Sequence, residues 1–284
     1  MDHDDGAPGN AATVTASVAH ARRDAAGSAP GNADLLAADV LEMHDVEITD
    51  ARPIAARLDI DVDGFVLRER PSGVANFFDL DQIESRYLGE TLALVHELSG
   101  ARDMVVLEHV IRGPQRLARE HPEYPRHMLG WGLKAHLDAD EATFRTWAAN
   151  VCDPVLIERC GRDGFAVYNT WRSINRVEKM PMAFCHAATV HHDDLVPAFY
   201  DGRFPGMVEA EYYPAISYFH IARNPAHRWY TFPAMEPHEV VVFKQWDTDA
   251  SRARCVPHTA FVDPTSRPDA ASRMSIEVRV FALR

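Results

Sequence analysis

The 284-residue sequence predicts an α+β protein whose core is a jelly roll flanked by N-terminal helices. Two patterns carry this prediction. From about residue 129 onward, short β-rich runs are separated by Pro, Gly and Asp, as is typical of an all-β barrel or sandwich. Ahead of them lies one clear amphipathic helix. Since no internal repeat is visible, we expect a single domain over residues 34–284, with strand and helix support in 34–125 and the jelly roll in 126–284.

The first 33 residues are predicted to be a disordered tail. They are rich in Ala, Gly, Asp and Pro and contain no aromatic residue that could nucleate a core. They also lack the basic start and apolar stretch of a secretory signal, and the chain nowhere reaches the roughly 18 consecutive apolar residues of a membrane helix. We therefore expect a cytoplasmic protein with no membrane partner.

The support region is predicted to combine extended segments with one helix. Residues 46–66 look extended, and the alternation of Leu58, Ile60 and Val62 predicts a half-buried strand. A helix is predicted within residues 79–100, because Asp79 or Asp81 can cap its start, Gly100 follows its end, and apolar side chains recur every three or four positions. A strand is expected at 104–111.

Charge and cysteine content exclude several classes of function. A net charge of -13 repels a phosphate backbone, and no basic stripe with interleaved aromatic residues offsets it, so nucleic acid is excluded as a partner. The four cysteines form no CxxC pair, which argues against a zinc ribbon or a thioredoxin motif. We expect them to be reduced thiols.

A histidine and an aspartate lie two positions apart on a predicted strand. In residues 129–138 apolar side chains alternate with Lys134, His136 and Asp138, so these three share one face. Residues two apart on a strand point the same way and can chelate one ion, whereas on a helix they diverge. With a distant histidine, such a pair makes the two-His-one-carboxylate triad that leaves open positions on Fe(II).

His-x-Asp spacing alone is weak evidence for a metal site. It recurs at His3/Asp5 in the predicted tail and twice within residues 191–194, which look like a polar turn. The C-terminal strand strengthens the case, because residues 272–281 alternate and place Arg273 and Ser275 on one polar face. A guanidinium beside a hydroxyl suits a carboxylate. His258, in a segment that Pro257 biases toward extended structure, completes the triad.

Many ordered motifs resemble one family, the bacterial and fungal non-haem iron hydroxylase/desaturase group. That group includes a fungal endoperoxide-forming meroterpenoid oxygenase and the smaller chain of cephem methoxylase. The resemblance runs from about Gly64 to the C-terminus. The matching segments are Tyr87–Glu90, Leu98–Ala101, Val105–Arg112, Ala135–Asp138, Tyr168–Arg172, Pro181–Cys185, Asp194–Pro197, Trp229–Pro233, Val242–Asp247, Pro257–Phe261 and Arg273–Arg279.

The resemblance implies a double-stranded β-helix that uses Fe(II), 2-oxoglutarate and O2 to hydroxylate, desaturate or cyclise a small metabolite. It places His136, Asp138 and His258 on iron. It assigns the co-substrate to Arg273 and Ser275, and as further candidates to Asn169, Arg172 and Arg279. We also expect aromatic walls for the substrate pocket from Trp171, Phe184, Trp229, Tyr230 and Trp246.

Two other functions remain open on the sequence. A His-Asp-His set also suits Zn2+ with an open water site, as in a zinc-dependent hydrolase. The barrel could also be a catalytically silent, cupin-like binding module. The Arg273 and Ser275 pair favours the oxygenase, because neither alternative gives it a purpose.

Overall fold

The computed structural model describes residues 11–25, 40–114, 129–200 and 216–283, and these are mainly β-strands arranged in two sheets. The strands are β1 Thr13–Ala21, β2 Leu41–Asp50, β3 Phe65–Glu69, β4 Met104–Arg112, β5 His136–Leu137, β6 Phe165–Ser173, β7 Met182–Cys185, β8 Leu195–Tyr200, β9 Ile216–Ile221, β10 Trp229–Thr231, β11 Glu239–Asp247, β12 His258–Ala260 and β13 Ser275–Leu283. The α-helices are α1 Leu80–Gln82, α2 Leu88–Ser99, α3 Glu141–Val151 and α4 Pro154–Asp163.

The order of the strands is that of a jelly roll. The larger sheet contains the run β5-β12-β7-β10, and the smaller sheet contains the run β4-β13-β6-β11. Along the chain, successive strands of these two runs alternate between the sheets, apart from β7 and β10, which is the arrangement of a jelly roll. The predicted core is therefore confirmed. Beyond it, β1 and β2 extend the larger sheet next to β10, the β8–β9 hairpin extends it next to β5, and β3 lengthens the smaller sheet.

The predicted helix is present and packs into the core. Asp79 accepts a hydrogen bond from the backbone N–H of Gln82 at its start, a π-helical stretch Ile83–Tyr87 joins α1 to α2, and Gly100 ends it with a φ of 69°. Its apolar side lies in the same buried cluster as Ile276 and Val278 of β13. The helix therefore supports the smaller sheet.

The predicted disorder of residues 1–33 is wrong for β1. Residues 13–21 pair along their whole length with β2, and Ala16 and Val18 are buried. Small side chains suffice here because a strand that adds to an existing sheet needs ladder partners and a close fit, and it does not have to nucleate a core. The remainder of the predicted tail, residues 1–10 and 26–33, lies outside the described part of the chain.

Two other expectations are corrected. The alternating residues at 58–62 form a turn, since the Asp59 carboxylate accepts from the backbone N–H of Asp61 and its carbonyl from that of Asp63. The region expected to be only β-rich contains α3 and α4, each capped by an aspartate, Asp140 and Asp153. Their apolar side chains join strand residues in the second buried cluster.

The four cysteines are free, as predicted. Among the described residues no helix combines the length and apolar character needed to cross a membrane.

Candidate metal centre

The structure brings the three predicted metal ligands together. His136 on β5 pairs directly with His258 on β12, and their ring centroids are 4.4 Å apart. Asp138 follows β5, and its Oδ1 atom lies 3.3 Å from Nε2 of His136 and 3.5 Å from Nε2 of His258. Each residue offers one ligand atom, and these atoms all lie within 4.8 Å of one another, a spacing that suits one shared ion.

Both imidazole rings are oriented by their own strands. Nδ1 of His136 lies 2.7 Å from the carbonyl oxygen of Lys134, and Nδ1 of His258 lies 3.3 Å from that of Val256. With Nδ1–H donating to these carbonyls, each Nε2 keeps its lone pair for a metal. Burial and the neighbouring His258 lower the pKa of His136, which keeps its ring neutral and able to bind.

The second oxygen of Asp138 is held by protein donors. Oδ2 accepts from Nε of Arg279 at 2.7 Å and from Nε2 of Gln245 at 2.8 Å, with Asn169 farther away at 3.4 Å. Burial alone would raise the pKa of Asp138, but the Arg279 guanidinium and the two histidines hold it well below its ordinary value. The carboxylate is thus ionised and presents Oδ1 toward the histidines.

A chain of ion pairs backs this carboxylate. Arg279 also contacts Glu108 and Glu277, and Arg112 donates to Glu277 at 2.8 Å. Burial opposes ionisation of Glu277, yet Arg112 and Arg279 lower its pKa, whereas burial outweighs Arg279 and raises the pKa of Glu108. Because both arginines are compensated by acids, neither is free for an added anion.

Arg273 differs from these arginines, because its guanidinium is fully buried without a counter-charge. None of its three nitrogens finds a hydrogen-bond partner among the described residues, and its Cζ atom lies 5.1 Å from the centre of the Trp171 ring. Burial and the charge of Arg112 lower the pKa of Arg273 to about 9. A buried, unpaired guanidinium costs several kcal/mol, so this position fits an anionic ligand.

Further unsatisfied donors surround Arg273. Ser275 and Ser173 are direct partners on β13 and β6, and the hydroxyl of each is buried without a partner among the described residues. Nε1 of Trp171 is also buried without a partner among the described residues. Asn169 and Arg279, which hold Asp138, lie on the same face of these two strands because they are separated from the serines by even numbers of residues. The donor set fits a carboxylate held beside the triad.

Three predicted site residues have other roles. Arg172 points to the opposite face of β6 from Asn169 and donates to the carbonyl oxygens of Pro237 and Arg70 and to the Tyr87 hydroxyl, so it does not reach the site. Trp246 donates to Glu141 of α3 and stacks on Phe219, which makes it a packing residue. Arg279, predicted as a co-substrate ligand, instead binds Asp138.

The remaining aromatic residues predicted to line the substrate pocket lie on different faces of their strands. Phe184 is the direct partner of both His258 and Tyr230, so these side chains share one face of the larger sheet. Trp229 pairs with Cys185 on the other face and packs near His20 and His227, away from the triad. Trp171 lies under Arg273 and so borders the anion position.

Sequence reasoning missed two residues that border the triad. Phe243 of β11 has its ring centre 4.8 Å from that of His258. Gln245 lies at a register shift between Lys244 and Trp246, so simple alternation does not predict the face on which it falls. The only sequence signal for Gln245 is a polar residue within an apolar strand.

Comparison with known proteins identifies a family and several relatives of the chain. A family model described as an oxidoreductase/YMDC permease-like domain matches residues 16–283. The chain is 28% identical over 260 residues to the hydroxylase/desaturase efuI of Hormonema carpetanum, covering 82% of this chain and 81% of that protein. It is 24% identical over 243 residues to the Fe(II)/2-oxoglutarate-dependent dioxygenase nvfI of Aspergillus novofumigatus, covering 83% and 82%.

The fold is likewise similar to that of a solved structure. The iron and alpha-ketoglutarate-dependent endoperoxidase NvfI superposes with a TM-score of 0.78 at 20% identity, covering 95% of this chain and 98% of that chain. At this identity the similarity establishes the shared fold.

Proposed function

The chain belongs to the family of the oxidoreductase/YMDC permease-like domain, and we propose that it is an Fe(II)- and 2-oxoglutarate-dependent oxygenase. Its substrate would be a small organic metabolite with an oxidisable C–H bond. Relatives named as Fe(II)/2-oxoglutarate-dependent dioxygenase and hydroxylase/desaturase support this reaction class. The proposal includes a single oxygenase domain that begins with β1, a double-stranded β-helix supported by α2, and a cytoplasmic location.

The single observation that carries the proposal is the buried, unpaired Arg273, which directly precedes the strand β13 whose Arg279 binds Asp138 of the triad. A triad alone would also suit a zinc hydrolase. An unpaired buried guanidinium favours an anionic ligand, and 2-oxoglutarate has a carboxylate that would bind there while its other end would reach a metal on the triad. A hydrolase or a silent module leaves Arg273 without a counter-charge.

In this assignment His136, Asp138 and His258 would hold Fe(II), and Arg273 with Ser275 would hold the distal carboxylate of 2-oxoglutarate. When bound, the metal and co-substrate supply, with O2, the oxidising power for the C–H bond, and 2-oxoglutarate leaves as succinate and CO2. Trp171 and Ser173 would border this carboxylate, where their unsatisfied donors would complete its hydrogen bonds.

The remaining residues would orient Asp138 and keep water out of the site. Arg279 and Gln245 hold Oδ2 of Asp138, which keeps Oδ1 aimed at the metal position and prevents the carboxylate from turning. Phe184 and Phe243 flank His258 and keep water from that side of the metal, since both are fully buried. Tyr230, on the same face, is only partly buried and can contact a substrate.

The experiment measures whether the protein converts 2-oxoglutarate to succinate when no organic substrate is added. Purified protein with Fe(II), ascorbate and 2-oxoglutarate in air is expected to form succinate slowly, measured by chromatography, because such oxygenases turn over their co-substrate uncoupled. Arg273→Gln should reduce this rate at limiting 2-oxoglutarate by tenfold or more through weaker binding.

Two controls make the result decisive. Arg162→Gln removes an exposed arginine of α4 whose only contact among the described residues is with Asp163, and should leave the rate unchanged. Replacing Fe(II) with Zn2+ should abolish succinate formation. No succinate above the protein-free level with iron-loaded, folded protein would remove the proposed function.

A further inference from the structure

A second cationic side chain, which is partly buried, lacks a counter-charge in the described structure. Lys134 lies two residues before His136 and therefore shares its face of the chain. Its Nζ atom donates to the Tyr218 hydroxyl at 3.3 Å and lies 5.0 Å from the centre of the Tyr218 ring. No carboxylate among the described residues forms an ion pair with it.

The fully buried cations of this chain normally have acceptor partners. Lys244 is fully buried and pairs with Asp247 at 2.7 Å, and Arg279 pairs with Asp138 at 2.6 Å. Arg172 distributes its donors over two backbone carbonyls and a tyrosine hydroxyl. Arg273 departs from this pattern among the buried cations of the described residues, and the partly buried Lys134 likewise has no carboxylate partner there. Arg273 is accounted for by the distal carboxylate of the co-substrate, but Lys134 is not.

The neighbours of Lys134 supply an ordered set of donors. Tyr218 and His220 lie on β9, and His220 is the direct partner of His136. The Tyr218 hydroxyl is 3.2 Å from Nε2 of His220. With Lys134 donating to the tyrosine oxygen and the tyrosine donating to Nε2, His220 carries its proton on Nδ1, which is buried without an acceptor among the described residues. Lys134 also keeps two N–H donors that are not used.

The location of this cluster is next to the metal position. Because β5 and β9 are antiparallel and His220 pairs with His136, Tyr218 lies level with Asp138 on the same face. Lys134, Tyr218 and His220 therefore border the triad on the side of the β8–β9 hairpin. Arg273 lies on the side of β13.

We propose that Lys134, with Tyr218 and His220, binds a carboxylate of the organic substrate, so that the enzyme oxidises an apolar acid. This inference rests on the proposed function for the identity of the site. A carboxylate would compensate the ammonium charge and accept the remaining N–H donors. The partly buried aromatic ring of Tyr230 would contact the apolar body of the same molecule.

The test compares acids with their neutral amides. Octanoate, 4-phenylbutyrate and 2-naphthoate, each paired with its primary amide, are titrated anaerobically into protein loaded with Fe(II) and 2-oxoglutarate, and binding is followed by calorimetry. Parent protein should bind at least one acid more tightly than its amide. Lys134→Gln should weaken acid binding about tenfold or more and leave amide binding within about twofold, since it removes charge and keeps size.

Two further variants guard the interpretation. Lys134→Arg keeps the charge and should retain the preference for acids, whereas Arg162→Gln on the surface should change neither ligand. If Lys134→Gln does not fold, as judged by its thermal unfolding, the arginine variant and Tyr218→Phe take its place. Tyr218→Phe removes the hydroxyl that orients Lys134 and should reduce the acid preference.

Three results would overturn the inference. The first is an acid preference that is unchanged in Lys134→Gln, and the second is a parent protein that binds none of the acids more tightly than its amide. The third is a Lys134→Gln variant that loses affinity for 2-oxoglutarate, because Lys134 would then serve the co-substrate. Repeating the acid and amide titrations on metal-free protein separates this inference from the proposed function, which fails independently if the parent forms no succinate.

Discussion

At the residue scale, the site depends on which oxygen of Asp138 remains available. Arg279 and Gln245 bind Oδ2, and Gln245 also accepts from the backbone N–H of Asp138 at 3.2 Å through its Oε1 atom. This reciprocal pair fixes the carboxylate plane, while both histidines face Oδ1. The orientation of Asp138 is therefore set by residues outside the triad.

Gln245→Leu is expected to weaken Fe(II) binding by about tenfold to a hundredfold, the usual effect of removing a group that orients a metal ligand. The leucine keeps the side-chain volume but loses both hydrogen bonds to Asp138. The measurement is an anaerobic Fe(II) titration against a competing chelator, with circular dichroism to confirm folding. An affinity within twofold of the parent would show that Arg279 alone orients Asp138.

The sequence predicts the candidate metal ligands but not the residues that orient them. Alternation places His136 and Asp138 on one face, and the same rule places Arg273 beside Ser275, so these residues follow from local pattern and resemblance. The parity of β6 separates Arg172 from Asn169, yet only the paired strands reveal which face holds the site. Gln245 depends on a register shift, which is a property of two strands together.

At the element scale, β1 shows why composition underestimates an edge strand. Residues 13–21 are mostly small, but their pairing with β2 buries Val18 at 1% exposure, while Thr15 stays exposed. The helix at α2 was predictable because its capping residue, apolar period and terminal glycine are all local. The turn at 58–62 was not, since its apolar alternation imitates a strand.

Val18→Asp should lower the free energy of unfolding by about 3 kcal/mol or more, because it places an unpaired charge in a buried position. Thr15→Asp, the matched change on the exposed face of the same strand, should change it by less than about 0.5 kcal/mol. Urea denaturation of both variants measures the difference. Equal, negligible effects would mean that β1 contributes nothing to the folded structure.

The polar turn at 191–194 was predicted as a solvated loop, and it contains one buried exception. Asp194 accepts hydrogen bonds from Arg23, Asn224 and His227, and so ties the end of β1 to the segment after β9. Burial alone would raise the pKa of Asp194, but these hydrogen bonds lower it to about 2. Three segments distant in sequence thus meet at one carboxylate.

Asp194→Asn should therefore remove a pH-dependent part of the stability. The lowered pKa of Asp194 stabilises the fold fully above about pH 4, its ordinary range, and this contribution is lost as the pH falls toward 2. The variant should be less stable by about 2 kcal/mol at pH 7, with the difference shrinking between pH 4 and 2. Urea denaturation across this range checks it, and a difference that does not depend on pH would contradict the assignment.

At the scale of the whole molecule, the jelly roll places two sets of groups face to face. The larger sheet carries His136 and His258, and the smaller sheet carries Arg279, Ser275 and the residues that border Arg273. The overall plan was predictable from β-rich patterning and family resemblance. The added β8–β9 hairpin and the two helices at 141–163 were not, because their positions depend on tertiary packing.

The central claim is that Fe(II) on the triad and 2-oxoglutarate on Arg273 form one centre. Its most direct test is the visible absorption spectrum of metal-free protein titrated anaerobically with Fe(II) and 2-oxoglutarate, run beside His136→Ala, Arg273→Ala and the surface control Arg162→Ala. The parent and control should develop a charge-transfer band, His136→Ala should lose it, and Arg273→Ala should require at least tenfold more 2-oxoglutarate. A folded, iron-loaded parent without this band would contradict the claim.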